Sequence, residues 1–76
     1  MKTLYDVQQL LEKFGIIVYV GKRLWDIEMM ALELDHLHQA RVITPRQFLT
    51  AKMILIREHR REEKRARAHH KRTGGI

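Results

Sequence analysis

Residues 42–56 read VITPRQFLTAKMILI, and the fold turns on how this stretch is parsed. Pro45 is the only proline of the chain. Proline sits well at the first position of a helix, where its missing N–H would have no intrahelical partner anyway. Thr44, just before it, carries a side-chain oxygen suited to capping that helix. The stretch therefore closes one helix and opens another. Downstream, Phe48, Leu49, Ala51, Lys52, Met53, Leu55 and Ile56 continue a helical pattern, which predicts a third helix with a core-facing stripe.

Working back from Thr44, residues Leu24, Ile27, Met30, Ala31, Leu34 and Leu37 form one apolar stripe over about residues 22–41. Asp26, Glu28, Glu33 and Asp35 fall mostly off that stripe. Acids early and Arg41 late suit the helix dipole. Near the start, Thr3 and Asp6 have the spacing of a capping box. Leu4, Val7, Leu10, Leu11 and Phe14 follow at helical spacing, and Gly15 supplies a left-handed stop. Between the first two helices lies IIVYV, residues 16–20, flanked by Gly15 and Gly21. It is a strand-like run with no convincing partner in the chain, and a lone strand is unstable. We read it as an extended apolar connector laid on the core. Trp25 is expected in the core or at its edge.

The expected fold is all-α: a small three-helix bundle with a short extended connector between helices 1 and 2 and a long basic third helix. Residues 1–59 form the core domain. Residues 60–76 form a basic helical extension ending in a frayed TGGI.

The chain has 76 residues and no cysteine. That bounds it to one small domain without disulfides or thiolate zinc. No signal-peptide pattern opens the sequence. The longest apolar run, GIIVYVG, falls far short of the roughly 20 residues that span a bilayer. We expect a soluble cytoplasmic protein that does not enter a membrane. The net charge of +6 is unevenly spread. Residues 44–76 hold ten Lys/Arg against three Asp/Glu, whereas residues 1–43 hold five against six. Such asymmetry points to an anionic partner for the basic half.

The segments LYDVQQLLEKFG, YVGKRLWDIEMM and FLTAKMILIREH resemble the YqgQ-like proteins, small uncharacterised bacterial proteins of about this length. YDVQQLL and the run from Gly21 to Glu28 carry the resemblance most specifically, and it extends from about Leu4 to His59. The resemblance implies a compact three-helix fold in the cytoplasm and no enzyme activity. A proposal that such proteins bind single-stranded nucleic acid goes with it. This chain departs at Lys22, where an acid is expected, and in the strongly basic extension after His59.

Chemical motifs are sparse. GIIVYVGKR does not make a phosphate loop, because Ile16 replaces the first glycine and Arg23 the magnesium-binding hydroxyl. Gly21, Lys22 and Arg23 nevertheless open helix 2, where free N–H groups and the dipole favour an anion, so they form a candidate phosphate site. The competing reading is that Gly21 only turns the chain while Arg23 pairs with Asp26 or a neighbouring acid. Tyr19, beside these cations, is a candidate for base stacking. The five histidines do not reach metal-site spacing. His36 and His38 face opposite ways on a helix, His69 and His70 are adjacent, and His59 with Glu63 gives only two ligands. There is neither cysteine nor serine to serve as a nucleophile. No metal, cofactor or catalytic residue is expected.

The strongest functional pattern lies in residues 57–72, REHRREEKRARAHHKR, in which eight of sixteen are Lys or Arg. On a helix, Arg57, Arg60, Arg61, Lys64, Arg65, Arg67, Lys71 and Arg72 fall within an arc of about 160°. Glu58, Glu62 and Glu63 fall outside it. Glu58–Arg61, Glu62–Arg65 and Glu63–Arg67 offer ion pairs, but like charges such as Arg60–Lys64 repel at the same spacing. A one-sided cation face suits a polyanion. The absence of large apolar residues opposite it argues against lipid. The sequence therefore predicts a non-catalytic nucleic-acid binding module, with a single strand favoured and sequence preference weak. The alternative is a small adaptor that engages an acidic protein partner or self-associates, acidic helix 2 of one copy against basic helix 3 of another.

Overall fold

The computed structural model describes the backbone of residues 1–74 and the side chains of residues 1–67. Three helices follow in order: α1 (Leu4–Glu12), α2 (Arg23–Gln39) and α3 (Pro45–Gly74). No strand occurs among the described residues.

The starts of α1 and α3 follow from capping side chains, whereas α2 starts after Lys22 with no side-chain cap. At α1, the Asp6 N–H donates to Thr3 Oγ1 (3.3 Å), and Asp6 Oδ2 accepts from the Lys2 and Thr3 N–H groups (2.8 and 3.1 Å). Those two donors hold the Asp6 carboxyl below its ordinary value of 3.8. At α3, the Gln47 N–H donates to Thr44 Oγ1 (3.0 Å), and Gln47 Oε1 accepts from the Thr44 N–H (2.8 Å). This is a full capping box ahead of Pro45.

Each of the first two helices ends in a left-handed residue. Gly15 (φ 76°) closes α1, with the Ile16 N–H returning to the Leu11 carbonyl (3.0 Å). Arg41 (φ 60°) closes α2 in the same way, with the Val42 N–H on the Leu37 carbonyl (3.2 Å). Arg41 thus lies in the turn, two residues past the helix it was expected to end.

The core gathers one stripe from each helix. Leu4, Val7, Leu10 and Leu11 of α1 meet Ile27, Met30, Leu34 and Leu37 of α2 and Ala51, Ile54 and Leu55 of α3. Ile43 of the α2–α3 turn is buried with them. Ile16 and Val18 of the connector pack against this core while Ile17 and Tyr19 stay exposed, so the connector does lie on the bundle. His38 stacks flat on Phe48 (centroids 4.0 Å apart), joining the end of α2 to the start of α3.

Several expected core residues lie outside. Phe14 is exposed because α1 stops at Glu12 and the chain has already turned. Trp25 is 52% exposed because it falls roughly opposite the Ile27–Met30–Leu34–Leu37 stripe, and Lys22 Nζ lies 4.8 Å from its ring centroid. Leu49, Met53 and Ile56 are 60%, 69% and 52% exposed, since α3 buries the face carrying Ala51, Ile54 and Leu55 and turns the other outward.

The molecule is elongated, 50 × 21 × 18 Å, as a helix of 30 residues requires at about 1.5 Å per residue. Thr73 and Gly74, expected to fray, belong to α3. Gly75 and Ile76 lie outside the described residues. No helix among the described residues is long and apolar enough to cross a membrane.

Candidate nucleic-acid interface

Beyond Ile56 the buried side of α3 exchanges apolar for polar contacts with α2. His59 Nε2 lies 2.9 Å from Glu28 Oε2, and its Nδ1 lies 3.4 Å from Glu63 Oε1. The hydrogen bond to Glu28 is the main cause that raises the His59 pKa above its usual 6.5; partial burial opposes it, and the Glu63 charge adds to it. Arg23, at the start of α2, reaches Glu62 (3.7 Å). Lower down, Lys52 pairs with Asp35 (2.9 Å). The α2–α3 seam thus extends seven residues past Leu55, the last buried apolar residue of α3, to Glu62.

These contacts divide the predicted cation arc in two. On one edge, Arg61 pairs with Glu58 (3.4 Å) and Arg65 with Glu62 (3.5 Å), both as the i,i+3 spacing predicts. Arg57 lies 3.9 Å from Glu58 and donates from Nη2 to the Lys2 carbonyl (2.7 Å), pinning the chain start to α3. On the outer edge stand Arg60, Lys64 and Arg67, which share one face within about 60° and make no ion pair among the described residues. The expected Glu63–Arg67 pair is not formed, because Glu63 turns to His59 instead. Lys71 and Arg72 continue α3 by their backbone, but their side chains lie outside the described residues.

The sequence did not reveal what adjoins the unpaired cations. An open groove runs beside them, lined among others by Met1, Met53 and Ile56, by Arg60, Lys64 and Arg67, and by the acid Glu63. Its apolar residues share the outer face of α3 with the cations. Met53 and Ile56 lie opposite Ala51, Ile54 and Leu55 on the helical wheel, and as both sets are apolar the sequence did not say which would face outward. Met1 could not have been placed there from the sequence, since only the Arg57–Lys2 contact brings it near.

The second candidate, at the start of α2, is partly committed. Gly21 (φ 108°) makes the turn, Lys22 covers Trp25, and Arg23 is paired with Glu62. Asp26, the expected partner of Arg23, instead accepts from the Val20 N–H (2.6 Å). Tyr19 is 86% exposed and sits before this turn, on the connector rather than beside the α3 groove.

Together these features define a class: a small all-α protein of three packed helices whose long last helix presents an exposed cationic and apolar face. Residues 1–61 match the family described as YqgQ-like. Over 58 residues the chain is 47% identical to the uncharacterized protein YqgQ of Bacillus subtilis (strain 168), covering 76% of this chain and 82% of that one. The chain belongs to the YqgQ-like family. Arg57, Arg60 and Arg61 fall within the matched residues, and Lys64, Arg65 and Arg67 lie beyond them.

Proposed function

We propose that this protein is a non-catalytic binder of single-stranded nucleic acid, RNA or DNA, with little sequence preference, and that the outer face of α3 is its contact surface. The observation that carries this reading is the row Arg60, Lys64 and Arg67, three cations on one helix face with no acid partner among the described residues. Holding like charges at helical neighbour spacing costs stability unless an anion lies along them. Phosphates supply that anion, and each neutralised phosphate releases a counterion. The adjoining Met53 and Ile56 offer apolar area to base faces, which an unpaired strand exposes and a duplex hides. A cytoplasmic setting goes with this reading.

The acids of α2 that a second copy's basic tail would need are engaged within the chain. Glu28 meets His59, Asp35 meets Lys52, Asp26 meets the Val20 N–H, and Glu33 lies 3.9 Å from His36. No observation therefore favours the adaptor reading built on them.

The test is fluorescence anisotropy with a labelled single-stranded RNA, a single-stranded DNA and a matched duplex, across a salt series. Single strands should bind more tightly than the duplex, with steep salt dependence. The triple variant Arg60→Glu/Lys64→Glu/Arg67→Glu should lose binding and keep its helicity. If only partly reversed by Ala substitutions, the salt slope should shrink by about 2, at roughly 0.7 per phosphate contact for single strands. Undiminished binding by the charge-reversed variant would assign the interface elsewhere.

A further inference from the structure

The connector Ile16–Val20 has what a β-strand needs except a partner. Its side chains alternate, Ile16 and Val18 inward, Ile17 (79% exposed) and Tyr19 (86% exposed) outward. Its backbone groups also sort by parity. The Ile16 N–H is bound to the Leu11 carbonyl (3.0 Å) and the Val20 N–H to Asp26 (2.6 Å). Residues of one parity in an extended segment direct their N–H groups to the same edge, so that edge faces the bundle. The N–H groups of Ile17, Val18 and Tyr19 have no partner among the described residues; in an extended segment those of Ile17 and Tyr19 share the edge opposite to the one that Ile16 and Val20 use. An open groove lies between Tyr5, Gln8, Gln9 and Glu12 of α1 and the segment, whose Ile17 and Tyr19 help to line it.

We infer that this free edge pairs antiparallel with the same edge of a second copy of the chain, about a two-fold axis at Val18. The commitment to a second copy rests on self-complementarity. Gly15 and Gly21, both at positive φ, bracket the segment symmetrically about Val18. That axis sets each Ile17 opposite the partner's Tyr19, an aromatic–β-branched pair of the kind that stabilises sheets. It also makes Ile17–Tyr19 the hydrogen-bonded pairs, which exchange both N–H···O bonds; the donors of both are free, while the free Val18 donor lies on the other edge and takes no part. The Ile16 and Val20 donors, already used, are not required. The dimer is small, and each copy carries +6, so it should be weak and should tighten as salt screens the repulsion.

Sedimentation equilibrium of the full chain over a concentration series, at low and high salt, tests this. Residue-resolved amide exchange by NMR supplies the register. A concentration-dependent dimer, strengthened by salt, with Ile17 and Tyr19 amides protected and Val18 unprotected, is expected. The double variant Ile17→Lys/Tyr19→Lys places like charges opposite each other and should weaken dimerisation roughly 10-fold or more. The variant Ile17→Lys/Tyr19→Glu restores opposite charges across the axis and should recover it. Both sites are exposed, so helicity should be unchanged in each. A monomer at every concentration, a dimer without protection at Ile17 and Tyr19, or a dimer indifferent to the Lys/Lys variant would each overturn the inference.

Discussion

His59 is the residue on which the α2–α3 seam becomes sensitive to pH. It lies between Glu28 and Glu63, and its pKa is raised above 6.5. A group whose folded value is raised contributes stability that is full below its unfolded value and is lost as pH rises through the folded one. Thermal melts should therefore show Tm falling across the window above pH 6.5 in the wild type, and a flatter profile in His59→Gln and Glu28→Gln. Arg41 is the second residue of consequence. A left-handed conformation costs a non-glycine residue roughly 1–2 kcal/mol, whereas glycine's looser unfolded state costs about 0.4–1 kcal/mol. Arg41→Gly should thus stabilise the protein by about 0.5–1 kcal/mol, read from the denaturant midpoint at unchanged m-value. Neither feature was legible from sequence. A glycine such as Gly15 announces a helix end by its type, but an arginine in the same conformation does not. Likewise, the Glu28–His59 contact depends on how α2 crosses α3.

At the scale of elements, α3 shows where reading by periodicity succeeds and where it stops. Its start was legible because Thr44 and Pro45 are residue types with a local mechanism, as Thr3 and Asp6 are for α1. Its inward face was not, because Leu49, Met53 and Ile56 are as apolar as Ala51, Ile54 and Leu55. Apolar residues around the whole circumference of a helix do not say which side packs. Substitution separates the two faces. Leu55→Ala should cost about 2–5 kcal/mol, the range for emptying a buried leucine site. Met53→Gln should stay within about 0.5 kcal/mol, as exposed positions do. Chemical denaturation of the two variants checks this, and comparable losses would mean that Met53 is covered in solution. The cation arc was legible as an arc. Its division into paired and unpaired edges required knowing that Glu63 serves His59 rather than Arg67.

At the scale of the whole molecule, the two proposed surfaces should respond to salt in opposite directions. Polyanion binding on the outer face of α3 would rest on charge, and screening should weaken it. Pairing at the connector edge would join two copies of a cationic chain through backbone hydrogen bonds, and screening should strengthen it. They lie on different elements, so each can be removed while the other is kept. Charge reversal at Arg60, Lys64 and Arg67 should abolish strand binding in anisotropy and leave the sedimentation behaviour at high salt unchanged. The Lys/Lys variant of the connector should do the reverse, and coupled loss of both activities would mean the two surfaces are one.

The position of Trp25 has a practical consequence in spectroscopy. It is the only tryptophan, half in water in the native state with the Lys22 ammonium near its ring. Its emission in the folded protein should already lie toward the red, close to that of the unfolded chain. Intrinsic fluorescence would then change little on denaturation and would understate the stability of a well-folded sample. Far-ultraviolet circular dichroism, reporting the helices directly, is the signal to follow. The indole remains useful for a different purpose, as a local reporter of any ligand or neighbour that displaces Lys22 at the mouth of α2.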